Sequence, residues 1–394
     1  MEFSFLSRRL AHTLVLTAVA LPAAAEQFTT TTTTEDKILP WEWADTMAKD
    51  TLNWLGADGE FDPSKGVDWG LVPGPIYSPE KQFGIGISAV GLFVADETMM
   101  DYAPSSITVK GYGTTNGSIG TEMELRSHYK HDSERLYIDA EIMDAPDLYY
   151  GVGIRAGRDD NNEIEFDRTT YRIAPQYLWR VATSTYAGIG FDFRRSESNA
   201  LDPKVPDLKT GFGDSSQNLG LTAHVIHDSR DFALNASRGR LIEFNLSGYS
   251  DNLASDESFQ KLAMTYSEYK PVGNATFAWQ VQTELSHGDV PWDQLAHLGG
   301  SRKLRGYEEG RYRDEQLLMA QAEWRQPIYG RHGAVAWAGV GTLSEDIDEL
   351  GKEKWLHSVG VGYRFAIKPK VNLRLDLGFG NGDKGAYFSV NEVF

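Results

Sequence analysis

Over residues 275–394 the chain repeats one pattern: short runs of alternating apolar and polar residues, broken by turns. Phe277, Trp279, Val281 and Leu285 fall on one face of a strand, with Gln280, Gln282, Glu284 and Ser286 on the other. Val371, Leu373, Leu375, Leu377 and Phe379 repeat the arrangement against Asn372, Arg374 and Asp376. Side chains alternate across a strand, so each run carries one apolar and one charged face. A soluble sandwich buries its apolar faces together. A membrane barrel turns them to lipid and encloses the charges in a polar lumen.

The rest of the chain favours the barrel. Arg8 and Arg9 precede an apolar stretch at residues 10–21, and Ala23, Ala24 and Ala25 follow it. This reads as a signal peptide over residues 1–25, with an apolar run too short to span a bilayer. Hydrophobic residues make up 41% of the chain, yet charges interrupt every later run. An exported chain without a spanning helix crosses a membrane only as a closed barrel. With 0 cysteines there are no disulfides and no Cys-based metal sites. A formal net charge of -18 disfavours a nucleic-acid partner. His224 and His227, three apart on a strand, point to opposite faces and cannot share a metal. No cofactor or metal site and no catalytic set is expected, so an enzyme is the least supported class.

Residues 26–68 read as a Thr-rich tether (27–34) and a short amphipathic segment (38–55) with imperfect helical spacing. That segment is a plug in the barrel, a foot on the inner leaflet, or a linker. From residue 69 to 394 the pattern yields an all-β, closed antiparallel transmembrane barrel of about sixteen strands. The first is expected at 70–77, the fifth at 135–144, the sixth at 169–181 and the last at 386–394. Residues 148–155 extend the fifth strand or belong to the loop after it. The longest connections follow odd-numbered strands (196–217, 288–315, 344–355), which puts both chain ends in the periplasm. Paired glycines inside strands lack the third glycine of a dinucleotide-binding loop and read as wall curvature.

The most specific segment lies between the eleventh and twelfth expected strands. It contains Leu304, Arg305, Gly306 and Tyr307, and the next strand carries Glu323, Trp324 and Arg325. Leu304-Arg305-Gly306-Tyr307 resembles the (V/L)RG(F/Y) signature of the BamA/TamA surface-antigen superfamily of outer-membrane barrels. There the motif sits in the sixth outer loop, between strands eleven and twelve of sixteen. Asp228, Arg230, Asp231 and Gly239 are similar to that family's D-x-R-D turn after the eighth strand, with Ala236 in place of its proline. The terminal Phe394 resembles the carboxyl-terminal signal read by the barrel-assembly machinery, which would be a partner during insertion. Outer-membrane lipids are the other partner the resemblance implies.

The family pairs the motif arginine with an acidic residue on the thirteenth strand, where this chain has Gly339. Folded inward, Arg305 would find its carboxylate elsewhere. Glu323 is the first candidate, and Glu284 and Asp376 follow, all on lumen faces. Family members also carry periplasmic POTRA domains, for which residues 26–68 are too short, so a POTRA-lacking variant is expected. The implied role is outer-membrane biogenesis, inserting or translocating envelope components through the wall between first and last strands. Pro73 and Pro75 weaken that first strand. The alternative is an outer-membrane channel plugged by the in-folded loop.

Overall fold

A computed structural model describes residues 38–39, 41–57, 61–78, 81–200, 215–368 and 370–394, with the side chains of residues 199 and 200 excepted. The expected signal peptide and Thr-rich tether lie outside them. A helix, α1 (Glu42–Trp54), comes first. The barrel wall begins with β1 (Val67–Ser78), β2 (Gln82–Phe93), β3 (Ser105–Thr114), β4 (Ile119–Tyr129), β5 (Glu134–Tyr149) and β6 (Ile164–Ala182). It continues through β7 (Thr185–Ala200), β8 (Ser215–Asp228), β9 (Gly239–Tyr249), β10 (Phe259–Val272) and β11 (Ala275–Gly288). Two three-residue strands, β12 (Ala296–Leu298) and β13 (Tyr312–Asp314), pair with each other apart from the wall. The wall resumes with β14 (Gln316–Tyr329), β15 (His332–Ser344), β16 (Leu356–Lys368), β17 (Val371–Phe379) and β18 (Lys384–Val390). Sixteen strands thus form one sheet in chain order, each antiparallel to the next, with β11 beside β14.

The period-two pattern sets the faces. On β17, Leu377 is 52% exposed on the outside while Asp376, its neighbour in sequence, is 1% exposed on the inside. Outward Val359, Val361, Leu375 and Phe379 extend the same apolar belt. At the end that carries the two described termini, residues 183–184, 273–274 and 330–331 make two-residue turns. The opposite end carries the long connections, including residues 289–315.

The sheet meets itself at β1 and β18, which lie side by side. Among the described residues no hydrogen-bonded ladder joins them. The reason is local. The Leu71 N–H points to the free edge of β1, where it donates to the Leu55 carbonyl at 2.7 Å. Backbone donors on one edge recur every second residue, so the nitrogens of Pro73 and Pro75 face the same edge and have no hydrogen to give. The Phe388 ring fills the space where a Cβ on Gly74 would stand.

Several boundaries differ from the sequence reading. The first wall strand starts at Val67, and the fifth runs on to Tyr149, so residues 145–149 join the wall while 150–155 belong to the loop. The last strand ends at Val390 rather than at Phe394. Asn391 adopts a left-handed backbone (φ 70°) and turns the tail inward. Phe394 then packs beside Tyr269, Ala236 and Ala278, inside the wall.

An in-folded loop held by an arginine network

Residues 289–315 fold into the barrel. Leu298, Leu304, Tyr307 and Tyr312 from this loop form an apolar cluster with the wall residues Leu317, Met319, Leu343 and Leu356. Leu304 takes a left-handed backbone (φ 53°), which throws the next residue, Arg305, away from this cluster. A Cβ on Gly339 would lie 3.2 Å from the Leu304 side chain, so the position that is acidic in the resembled family is here an apolar seat.

Arg305 is fully buried. Its Nη1 donates to Asp376 Oδ2 at 2.6 Å, and its Nη2 donates to Glu323. The guanidinium also lies 3.7 Å from the centre of the Trp337 ring, a cation–π contact. Both carboxylates have second cations. Glu323 accepts from Arg325 Nε at 2.8 Å, and Asp376 accepts from Arg364 Nη1 at 2.6 Å. Arg364 Nε reaches Glu392 at 2.8 Å, and Arg325 Nη2 reaches the Phe394 carbonyl oxygen at 2.9 Å. Arg374 stands 3.6 Å from Asp376. Burial on this scale is tolerable because Glu323 and Asp376 each meet two or more guanidinium groups.

The neighbouring motif residues are seated as closely. Gly306 has φ 113°, and a Cβ there would come within 2.7 Å of the Phe379 backbone nitrogen, so only glycine fits. Its N–H donates to Tyr387 Oη at 3.0 Å, and that hydroxyl donates to the Tyr307 carbonyl at 3.1 Å. Tyr307 Oη donates to the His357 carbonyl at 2.7 Å and accepts from the Asn381 N–H at 2.9 Å. Farther along, Arg302 pairs with Glu124 at 2.8 Å and Lys303 pairs with Glu284.

Of the three carboxylates named for Arg305, the structure brings Glu323 and Asp376 to it. Glu284 takes Lys303 instead, a correction with a simple cause. Glu284 is level with Leu317 in the β11–β14 register, whereas Glu323 is level with Ala278. Six residues of strand separate the two positions, roughly 20 Å. Arg325, Arg364, Glu392, Trp337 and Tyr387 were not assigned to the network. For Arg325 and Arg364 the available signal was inward parity shared with Glu323 and Asp376.

A loop folded inward between the eleventh and twelfth wall strands, on a sixteen-strand antiparallel barrel, is the arrangement that invites comparison. The Omp85 superfamily domain matches residues 115–394. The chain belongs to the Omp85 superfamily. Its barrel resembles that of BamA from Haemophilus ducreyi lacking POTRA domains 1-3 (TM-score 0.53, 13% identity), covering 82% of this chain and 69% of that one. It also resembles CdiB from Escherichia coli (0.52, 11%, 83% and 62%) and CdiB from Acinetobacter baumannii (0.51, 9%, 83% and 60%). The chain thus spans about three fifths of the CdiB structures. No match is found among curated proteins.

In this Omp85 barrel the turn after β8 is a clasp. Asp228 holds Arg230 through two bonds of 2.9 and 3.1 Å and meets Arg135 at 3.3 Å. Asp231 accepts from the Ser237 N–H at 2.8 Å and lies 3.3 Å from Lys370, in the turn between β16 and β17. Burial raises its carboxyl, but the Ser237 hydroxyl and Lys370 outweigh that and hold it below the usual range. Gly239 (φ 97°) is required because a Cβ there would strike the Ser229 carbonyl. The Glu392 N–H donates to the Leu234 carbonyl at 3.1 Å, so this turn and the carboxyl-terminal residues cross the mouth of the barrel together.

Above that floor, the loop and the wall enclose a charged chamber of ≈ 470 Å³. Its lining mixes both signs, as in the pairs Lys110–Glu122 at 3.2 Å and Arg172–Asp192 at 3.1 Å. At the loop rim, Asp314 is buried beside Glu315, Glu345 and Glu353. Burial first, and then these carboxylates, push its carboxyl up to about 6.

Proposed function

We propose that this barrel works in the outer membrane of a Gram-negative envelope, inserting or translocating envelope components through the β1–β18 seam. The observation that carries the reading is the unladdered seam, whose free edge loses two donors to Pro73 and Pro75. Few hydrogen bonds need to break for the two strands to part. The docked loop then acts as a strut, holding Arg305 against β14 and β17 and the Gly306–Tyr307 backbone against β18 so that the wall keeps its shape.

On this reading the short connections and both described termini face the periplasm, and the outer apolar belt faces lipid. Outer-membrane lipids are the permanent partner, and the barrel-assembly machinery is a partner during insertion. A passive channel is less favoured, because the loop folds into the lumen and the 229–238 turn crosses one mouth.

Depletion followed by quantitative profiling of outer-membrane proteins and lipids tests the proposal. A defined subset should fall. Wild-type protein should restore it, and a variant with β1 and β18 joined by an engineered disulfide should do so only after reduction. An unchanged profile on depletion would overturn the reading.

A further inference from the structure

Helix α1 presents three sectors, not two. Leu52 and Leu55 pack toward the barrel, and Ala44 and Asp45 are buried on the same side. Glu42, Thr46 and Asn53 form a second, exposed and polar sector. Trp43, Met47 and Trp54 form a third at i, i+4 and i+11, exposed at 72%, 61% and 83%. An interfacial helix held against a membrane protein needs these three contacts: protein, water and lipid.

The anchoring points fix where the helix lies. Before it, the Ile38 carbonyl meets His332 Nε2 at 2.8 Å, and the His332 ring packs on Tyr363 and Phe365 of β16. After it, the Leu55 carbonyl accepts from Leu71 on the free edge of β1. His332 opens β15, four strand gaps from β1, roughly 19 Å across. Thirteen residues of helix span about 20 Å. So α1 is long enough to lie along the barrel rim between these anchors, and the Ala57 carbonyl just after it accepts from Arg331 Nη1 in the β14–β15 turn at 2.8 Å. Val371 continues the outward parity of Leu375 and Leu377 yet is fully buried, within the cluster that Leu52 and Leu55 cover. Val371 is thus where the apolar surface of the wall meets Leu52 and Leu55, in a cluster that also takes in Val72, Val90 and Leu234.

We propose that α1 is an in-plane anchor that seats Trp43, Met47 and Trp54 in the headgroup and upper acyl region of the adjacent phospholipid leaflet, beside the seam. Tryptophan suits that depth, with an apolar ring and one polar N–H. The proposal rests on the membrane reading above but adds a contact which that reading does not require.

The chain has 0 cysteines, so single-cysteine probes are direct. Full-length protein carrying Met47→Cys, Asn53→Cys or Leu377→Cys is labelled with an environment-sensitive fluorophore in phosphatidylethanolamine/phosphatidylglycerol nanodiscs. Doxyl-labelled lipid should quench the label at position 47, and iodide should quench it roughly threefold less than the label at 53. Equal iodide access at 47 and 53 overturns the anchor. So does a position-47 label shielded from iodide but untouched by doxyl lipid, which would mean a protein occupant such as a second copy. The Leu377 label separates the two readings: without doxyl quenching there, the barrel assignment itself fails.

Discussion

Replacing Arg305 with alanine removes two charged hydrogen bonds, to Asp376 and Glu323, and the stack on Trp337. Bonds of this kind are worth about 1.5–3 kcal/mol each, and breaking a buried pair from one side costs about 3–5 kcal/mol. The two carboxylates are not fully orphaned, since Arg325 and Arg364 remain at 2.8 and 2.6 Å. The net loss in loop docking should therefore sit near the low end, about 3 kcal/mol, or roughly a hundredfold in the docked-to-undocked ratio. Amide hydrogen exchange over residues 299–307, measured on the folded barrel in nanodiscs, reads this ratio directly. Arg305→Ala should exchange there about a hundredfold faster, while Lys303→Ala, whose pair with Glu284 is partly exposed, should change it only a few-fold. Arg305→Lys should fall between, because lysine keeps the charge but not the fork or the stack. Exchange in Arg305→Ala within a few-fold of wild type, or equal to that of Lys303→Ala, would refute the assignment of the network as the loop's main tether.

Tyr387→Phe removes the acceptor of the Gly306 N–H, so the same exchange assay should show a loss of roughly 1–3 kcal/mol, with the barrel still heat-modifiable on gels. Asp314 binds a proton more readily folded than unfolded, so its contribution to stability is present below the ordinary carboxyl value and is lost as pH rises through about 6. Asp314→Asn should accordingly raise thermal stability by about 1–2 kcal/mol at pH 8, and this advantage should shrink toward pH 5 in melting curves. Pro73→Val combined with Pro75→Val returns two donors to the seam edge. It should raise the melting temperature through about 1 kcal/mol per new bond while slowing whatever process needs the seam open, measured by complementation of the depleted strain.

The barrel was readable because its signal is local. A period of two survives any tertiary context, and inward parity was enough to bring Glu323 and Asp376 forward as partners of Arg305. Parity gives a face but not a height along the axis, which is why Glu284 was placed with the wrong cation. The carboxyl terminus misled for another reason. Ala386, Phe388 and Val390 alternate as a strand should; the one sign of the turn was the residue type at Asn391, since asparagine enters the left-handed region more readily than most. The helix spacing looked imperfect because it was judged against two faces, whereas α1 has three. Pro73 and Pro75 were visible as weak points. That both nitrogens face the open edge needed the bond between Leu71 and Leu55.

The inward tail ties the docked loop to the last strand. Glu392 holds Arg364, Arg364 holds Asp376, and Asp376 holds Arg305, while Tyr387 on β18 grips the loop backbone. A swing of the last strand away from β1 would strip these supports from the loop one after another. By thermodynamic reciprocity, a loop pulled from its berth would lower the work of parting the strands by the same amount. Whatever bound either part would thereby be felt at the other, with no separate signalling element.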